Sequence, residues 1–499
     1  MPLTKAVAAL LLSCCLSAGA AGAADLRIAL ADDPDALDPV SNSAQTGITV
    51  LNTMCERLMT TDPQLNVVPS LAESWSWSED GLALTLNLVR DASFQDGTPF
   101  DSAAVKRNIE RAMVPGTQRY SDVSSISAIE TPDPHTVVIR VSEPAAQLVG
   151  KLAERIGIIL SPAALDREGD NIGRAPVCIG PYKFVSRVAQ DNLVLEKDPE
   201  YRLADQFAFD RIIFRIIPDD SVRFANLQSG DVDLAEKIDP AMYETIEGDE
   251  GLDLIQSSAP NNQALMFNLA NEGPLQDVRV RRALELSLDR QAIVDVAFAG
   301  RYLAANQFVD PGSPFYNADH PIPPRDVEAA KALLAEAGHT APVPLRILVP
   351  NRTLPVRVAE MLQLMSSEAG FDTKLDVVDF ATTLQLTADG DFESWGPIGP
   401  QFANDLDTLV QPVLHSTGGR NVGKYDNPDL DAVLDDTRSA TDPEARKALF
   451  QKAAAIVAAD VPLIYLYHQA PIFGFRSDLE GLHLTGDGFL ELKGVTLGS

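Results

Sequence analysis

Hydrophobic side chains alternate with other residues in many short segments of the chain, which is the period of half-buried β-strands. The first such segment holds Leu26, Ile28 and Leu30. Comparable segments recur further along: Leu84, Leu86 and Leu88; Val137, Ile139 and Val141; Ile212, Phe214 and Ile216; Val343, Leu345, Ile347 and Val349. Between these strands, apolar residues spaced by three or four positions predict helices. The alternation of the two patterns indicates an α/β protein.

Three helices are the clearest. They contain Val105, Ile109 and Ala112; Val280, Ala283, Leu284 and Leu288; and Val327, Ala330, Leu333 and Leu334. Asp101 or Ser102 can cap the first of them, and the third is predicted to begin near Asp326 and to stop at Gly338.

The segment 343–378 predicts a complete βαβ unit. A strand is followed by a helix from about Pro355 to Ala369, by Gly370, and by the strand "FDTKLDVV". This unit builds open parallel sheets, whose ligands bind at the carboxyl ends of the strands. A ligand cleft is therefore expected beside the loops that follow this unit.

The first 23 residues are typical of a secretory signal peptide. Lys5 precedes an apolar stretch from Ala6 to Leu16, and an A-x-A cleavage site at 21–23 precedes Ala24. The sequence "LLSC" ending at Cys14 resembles a lipid-attachment site only loosely, so a lipid-anchored form is the weaker alternative. We therefore expect an exported, periplasmic protein, and no later segment is long and apolar enough to predict a membrane span.

Composition narrows the class of protein further. The 499 residues include 40 Lys and Arg against 71 Asp and Glu, for a net charge of −31, while 45% of residues are hydrophobic. Such a chain should fold, and it should repel nucleic acid. Cys55 and Cys178 are the cysteines that remain after the signal peptide. In an oxidising compartment an even count favours one disulfide, with two buried free thiols as the alternative.

Familiar catalytic and cofactor motifs are absent from the sequence. It has no G-x-S-x-G, H-E-x-x-H, G-x-x-x-x-G-K-[ST] or G-x-G-x-x-G pattern, and no two of its six histidines lie within five residues of each other. We predict no catalytic residue, no metal site and no cofactor. A secreted enzyme that uses carboxylates stays an alternative, because a chain with 71 acids can hide a pair.

Several strings, spread over nearly the whole chain after residue 24, carry a family resemblance. They are "LDPV" (37–40), "VVPSLAESWSWSEDG" (67–81), "FQDGTPFDSAAVKRNIER", "IGPYKF" (179–184), "LQSGDVDL" (227–234), "FNLANEGPLQDVRVRRALELSLDR" (267–290), "GGRNVGKYDNPDLDAVL" and "DVPLIYLYH". In this order they resemble the extracytoplasmic solute-binding proteins of family 5, the peptide/nickel type that serves ABC importers.

The resemblance implies a two-lobed periplasmic binding protein fold with an extra domain inserted in lobe I. By motif order, lobe I comprises 25–68, 183–265 and 475–499, the inserted domain comprises 69–182, and lobe II comprises 266–474. The implied function is capture of a peptide or peptide-like small solute in the interlobe cleft and its delivery to an ABC permease in the inner membrane. The implied protein is a monomer without enzymatic activity, and a nickel-type metal-chelate binder is a further alternative.

The loop "ESWGPIGPQFANDLDTL" (393–409) carries the predicted ligand residues. It holds Trp395, Asn404, Asp405 and Asp407, and it follows the βαβ unit. The resemblance implies that Asp405 pairs with the α-ammonium group of a peptide, although Leu406 replaces the proline that the family pattern has between the two acids. Arg352, at the end of a predicted strand, could meet a ligand carboxylate through its planar guanidinium.

Overall fold

The computed structural model describes residues 25–42, 45–62, 66–145, 147–257, 261–340, 342–399, 406–440, 442–485 and 488–498. The predicted signal peptide lies outside the described residues, and so do Asn404 and Asp405.

The first lobe is built on a seven-stranded sheet. Its strands, in spatial order, are Leu252–Gln256, Ile472–Arg476, Leu234–Glu236, Asp25–Leu30, Arg211–Ile216, Asn192–Lys197 and Tyr182–Val188. The central strand Asp25–Leu30 is parallel to both of its neighbours. Leu26, Ile28 and Leu30 are fully buried, which confirms the strand that their alternation predicts.

The second lobe is built on a six-stranded sheet. Its strands, in spatial order, are Leu303–Ala304, Leu463–Gln469, Asn261–Phe267, Ser394–Ile398, Val343–Pro350 and Phe371–Val378. The last two are parallel and are joined by the helix Thr353–Glu368, which confirms the predicted βαβ unit. Gly370 adopts φ +102° in the turn between the helix and the second strand, a conformation that glycine reaches without strain.

A separate four-stranded antiparallel sheet lies within residues 69–182. Its strands, in spatial order, are Ala72–Trp77, Ala83–Leu88, Thr136–Val141 and Ile126–Asp133. The helix Ser102–Ala112 packs against it, and the Asp101 side chain accepts a hydrogen bond from the Ala104 amide, which confirms the predicted cap. Three two-stranded pairs complete the strands: Met59–Thr61 with Val67–Pro69, Leu479–Glu480 with Thr496–Leu497, and His483–Leu484 with Leu490–Glu491.

Helices cover the sheets. In chain order they are Gln45–Met54, Ser102–Ala112, Tyr120–Val123, Gln147–Leu152, Pro162–Glu168, Asp220–Ser229, Tyr243–Glu247, Val278–Ser287, Arg290–Phe298, Val327–Glu336, Thr353–Glu368, Phe380–Asp389, Leu406–Leu414, Pro428–Ser439 and Pro443–Asp460. Short 3₁₀ turns span Arg155–Gly157, Gly169–Arg174, Ala204–Gln206, Pro240–Met242 and Pro274–Gln276. Within the described part of the chain, no helix has the length and apolarity of a membrane span.

The domain boundaries inferred from the motif order remain predictions. The sheet to which each strand belongs suggests where the chain crosses between the lobes. The strand Asn261–Phe267 pairs within the second sheet, whereas the predicted boundary at 265 would divide it. The chain passes between the sheets after Gln256 and again between Gln469 and Ile472. We therefore propose these two intervals as the crossings between the lobes.

Cys55 and Cys178 form a disulfide, which confirms the predicted bridge. Both residues are buried within the apolar core of the first lobe. The bond fixes the end of the helix Gln45–Met54 to the segment that returns from the inserted domain. It therefore ties the inserted domain to the lobe at its base.

Candidate functional site

Charged side chains lie where the strands of the first lobe end. Asp32 follows the strand Asp25–Leu30, and Lys237 follows Leu234–Glu236, with the Lys237 Nζ atom 2.8 Å from Asp32 Oδ2. The fully buried Arg223 holds this edge together, because its guanidinium donates to the carbonyl oxygens of Ile217, Glu236 and Lys237. The strand ends thus form a fixed edge that presents a charged pair.

Arg352 faces this edge from the second lobe. It directly precedes the helix Thr353–Glu368, and its guanidinium lies 4.7 Å from the centre of the Phe380 ring. Burial favours the protonated form of Asp32, but the Lys237 ammonium opposes it and, with the charge of Arg352, lowers the pKa of Asp32 below its ordinary value. Arg352 is therefore close enough to act across the cleft on the first lobe, and its predicted contact with a ligand carboxylate stays a prediction.

A second charged region lies at the junction of the first lobe and the inserted domain. The buried Asn42 side chain accepts a hydrogen bond from Arg155 Nε at 3.1 Å, and its backbone carbonyl accepts one from Arg119 Nη2 at 3.3 Å. Asn42 itself donates to Asp35 and to the Ala36 carbonyl. One buried residue therefore binds both arginines, Arg155 through its side-chain oxygen and Arg119 through its backbone carbonyl.

Arg420, in the second lobe, lies close enough to Arg119 for their charges to interact. Its loop is built around Asn421, which is buried and bonded to the Tyr425 amide and carbonyl and to the His415 carbonyl. Burial lowers the pKa of Arg420, and the positive charge of Arg119 lowers it further. We call Arg119, Arg155 and Arg420 the arginine cluster.

The surroundings of the arginine cluster are those of a cleft. Burial, with a smaller contribution from the charges of Arg119 and Arg57, lowers the pKa of Arg155 to about 10. Yet Arg155 is only half-buried and Arg420 is exposed to solvent. Both arginines therefore keep contact with solvent although neighbouring protein partly desolvates their charges.

Trp395 lies in the strand Ser394–Ile398, with 8% of its surface exposed. It packs with Leu348 and Phe392, and Val422 from the Arg420 loop contacts the same apolar group. Among the described residues its indole nitrogen has no hydrogen-bond partner. The indole therefore supports the loop that carries Arg420, and its predicted stacking on a ligand stays a prediction.

The Asp407 carboxylate is buried and bonded to other side chains of the same lobe. Its side chain is 4% exposed, one oxygen accepts a hydrogen bond from the Thr437 hydroxyl, and the other lies 2.5 Å from Arg446 Nη2. This geometry disfavours the predicted ligand role of Asp407. The roles predicted for Asn404 and Asp405 stay predictions, because both residues lie outside the described ranges.

The two lobes also touch each other near the crossings. Arg301 of the second lobe pairs with Glu247 of the first, and its guanidinium lies 5.7 Å from the centre of the Tyr243 ring. The side chains of Tyr243 and Tyr302 also lie close to each other across the same contact. Closer to the cleft, Arg357 Nη2 lies 3.6 Å from Asp239 Oδ2.

A cavity of about 420 Å³ lies elsewhere, against the second sheet. Its lining includes Arg346, Leu348, Asp376 and Glu393. Arg346 bonds there to Asp376 at 2.5 Å, and its amide donates to Glu393, so the fold satisfies these polar groups. The cavity lies within the second lobe alone, and we place the functional site in the cleft between the lobes instead.

Sequence reasoning missed the arginine cluster. Arg119, Arg155 and Arg420 come from three distant segments, and single arginines in a chain with 40 basic residues give no local signal. Arg420 does lie in "GGRNVGKYDNPDLDAVL", one of the strings that carry the family resemblance.

Comparison with known proteins gives a consistent result. Residues 66–421 match the model of the bacterial extracellular solute-binding proteins, family 5 middle. The glutathione-binding protein GsiB of Salmonella paratyphi A is 27% identical over 484 residues, which cover 94% of this chain and 93% of GsiB. GsiB of Escherichia coli K12 is also 27% identical and covers 96% of this chain and 94% of its own.

Solved structures agree with these matches. The binding protein AgaA from A. tumefaciens R10, in complex with agropinic acid, superposes with a TM-score of 0.82 at 27% identity and covers 95% of this chain and 99% of its own. The Helicobacter pylori protein DppA, in complex with the peptide STSA, reaches 0.84 at 22% identity over 95% and 98% of the two chains, and it supports the two-lobed fold alone. From the family match and this shared architecture, the chain belongs to the bacterial extracellular solute-binding proteins of family 5.

Proposed function

We propose that this protein is the substrate-binding component of an ABC importer and that it captures a peptide or peptide-like small solute in the cleft between its lobes. The observation that carries the proposal is the meeting of charged groups from separate units across one cleft. Asp32 and Lys237 face Arg352 at one part of it, and the arginine cluster joins all three units at another.

Closure of the lobes would retain the solute. Contacts between the lobes near the crossings can persist during a hinge motion, whereas contacts in the cleft form only when it is shut. A solute that binds both lobes favours the shut state by its difference in affinity for the two states. The protein then delivers the solute to an inner-membrane permease, and it acts in the periplasm as a monomer after removal of residues 1–23.

Small-angle scattering tests this function. The exported, ligand-stripped protein is measured before and after addition of candidate solutes: glutathione, short peptides and their nickel complexes. We expect a smaller radius of gyration with at least one of these solutes, and the solute should be recovered chemically unchanged. Conversion of the solute to a product would instead favour the secreted-enzyme alternative, and compaction only with a nickel complex would favour the metal-chelate alternative.

A further inference from the structure

We propose that Arg223 is a positioning residue for the motion of the lobes: by holding one bend of the first lobe, it places the residues through which that lobe meets the second. The inference rests on the proposed function, because it concerns the closure that retains a solute. It assigns a role to a side chain that a solute in the cleft does not touch, since Arg223 is fully buried.

The bend lies directly after the strand Leu234–Glu236. Lys237 adopts φ +50° there, a left-handed conformation that is unfavourable for a residue with a long side chain. Arg223 holds this conformation, because its Nε atom donates to the Glu236 carbonyl at 2.8 Å and its Nη2 atom donates to the Lys237 carbonyl at 2.6 Å. The Glu236 carboxylate accepts a hydrogen bond from the Ala31 amide at 2.9 Å, which fixes the neighbouring strand to the same bend. Arg223 therefore sets the direction in which the chain leaves the strand.

The chain beyond the bend meets the second lobe. Asp239 Oδ2 lies 3.6 Å from Arg357 Nη2 of that lobe, while Asp239 Oδ1 accepts a hydrogen bond from the Ala241 amide at 2.9 Å. Tyr243, which follows, belongs to the same buried apolar cluster as Tyr302 of the second lobe. The bend thus determines where the first lobe presents both its charged and its apolar contact to the second lobe.

The bend also adjoins the proposed crossings between the lobes. Glu236 pairs with Phe473, the second residue of the strand Ile472–Arg476 that the chain enters from the second lobe. Beside it, the Ser257 amide donates to the Pro471 carbonyl at 2.9 Å, which joins the two crossings to each other. Hinges consist of a few residues at the ends of elements, and these segments have that position. A change in the bend would therefore act where the lobes move relative to each other.

The second lobe contains the same arrangement in a different place. Arg281, like Arg223, lies four residues after the aspartate that caps its helix, and each donates through Nη1 to the carbonyls six and five residues before it. The Nε and Nη2 atoms of Arg281 donate to the consecutive carbonyls of Val461 and Asp460, and Val461 adopts φ +46°. These carbonyls precede the strand Leu463–Gln469, at the end away from the crossing. Arg281 therefore makes the same bonds as Arg223 without its position beside the interlobe contact.

Distances between spin labels on the two lobes test the inference in the full exported protein without solute. The labels are attached at Val188→Cys in the first lobe and Leu364→Cys in the second, because both side chains are exposed. Cys55 and Cys178 are paired in a disulfide and do not take up the label.

The compared variants are Arg223→Lys and Arg281→Lys. Each keeps the positive charge, removes the planar guanidinium and loses carbonyl bonds of the same kind, so both should lower the midpoint of urea unfolding by similar amounts. We expect Arg223→Lys to broaden the distribution of interlobe distances, because the bend can then take other directions. Arg281→Lys should have the same distribution as the parent, which a merely structural role of Arg223 does not predict.

Asp239→Asn is a second variant that keeps both buried arginines. Its amide oxygen can still accept from the Ala241 amide, but the charge opposite Arg357 is removed, so the fold should survive. It should also broaden the distribution of interlobe distances. If Arg223→Lys does not fold, the result for Asp239→Asn decides alone.

Two outcomes overturn the inference. They are equal effects of Arg223→Lys and Arg281→Lys on the interlobe distances, and an Asp239→Asn protein with the distances of the parent. The proposed function fails by a separate result, in which glutathione, short peptides and their nickel complexes all leave the interlobe distance of the parent unchanged. The comparison of the solute-free variants remains valid in that case.

Discussion

Asp407 illustrates how a side chain predicted to bind a ligand can instead be held within the fold. The Asp407 carboxylate is almost fully buried and bonded to Arg446 and Thr437. In the sequence both Asp405 and Asp407 matched the pattern of an amine-binding loop. Sequence spacing cannot distinguish them, because the partner Arg446 comes from a helix that begins 36 residues after Asp407.

Asp407→Asn should therefore destabilise the protein. Removing one charge leaves the Arg446 guanidinium without its counter-charge in a largely buried place, which costs about 3 to 5 kcal/mol. The free energy of unfolding in urea measures the loss. Asp372→Asn, which removes half of an exposed pair with Lys374, is the control and should change stability by less than about 0.5 kcal/mol. An Asp407→Asn protein that is as stable as the parent but binds solute weakly would restore the predicted ligand role.

His468 predicts a pH dependence of stability. This histidine is 2% exposed in the strand Leu463–Gln469, and burial lowers its pKa to about 4 despite the nearby Asp310 carboxylate. The unfolded chain, with an ordinary pKa of 6.5, binds a proton more readily than the folded one. The contribution of His468 is therefore full above pH 6.5 and is lost as the pH falls toward 4, by about 3 kcal/mol in all.

The matched variant for this prediction is His468→Asn, which keeps a polar group in place of the ring. The unfolding free energy of both proteins is measured from pH 7 to pH 4. The parent should lose about 3 kcal/mol more than the variant over this range. Parallel curves would mean that His468 does not titrate differently in the folded and unfolded chains.

At the scale of elements, we expect the contact between Tyr243 and Tyr302 to act as a non-covalent pivot beside the two proposed chain crossings. Tyr243 and Tyr302 are 2% and 7% exposed, and the Tyr302 ring stacks on Tyr467 within the second lobe. Separating such a buried contact is costly, whereas the Arg357–Asp239 pair is longer and more exposed. We therefore expect closure to preserve the tyrosine contact and to change the Arg357–Asp239 distance.

Tyr302→Phe should loosen this pivot without leaving a cavity, because it removes one hydroxyl and keeps the aromatic ring. Loss of the polar contact between the two hydroxyl groups, worth at most about 1 kcal/mol, should increase the radius of gyration of the ligand-free protein. Tyr467→Phe is the control, since Tyr467 belongs to the same aromatic stack but lies in the second lobe alone. Equal radii for the two variants would show that the interlobe hydroxyl contact does not restrain the lobes.

Many of the helices and strands could be predicted from the sequence. Local rules placed the Asp101 cap and the βαβ unit of 343–378, because caps and hydrophobic periodicity depend on neighbours within one turn or strand. The helix was expected from about Pro355, and the structure begins it at Thr353. The membership of Asn261–Phe267 in the second sheet was missed, since pairing with Leu463–Gln469 depends on residues about 200 positions away.

At the scale of the whole molecule, the family and its two-lobed fold followed from the order of many weak motifs. Trp395 and Arg352 could be proposed as ligand residues because they end or follow predicted strands, and their roles stay predictions. The arginine cluster could not, because it exists only where three units meet. Binding chemistry that is assembled between units leaves no local pattern in the sequence.

The central claim is that the cleft between the two lobes captures a small solute. Native mass spectrometry of the protein taken directly from its own periplasm, followed by release and identification of any bound small molecule, tests it most directly. We predict a mass increment from one small solute, which is released chemically unchanged. Absence of any mass increment, together with an unchanged radius of gyration with every candidate solute, would contradict the account.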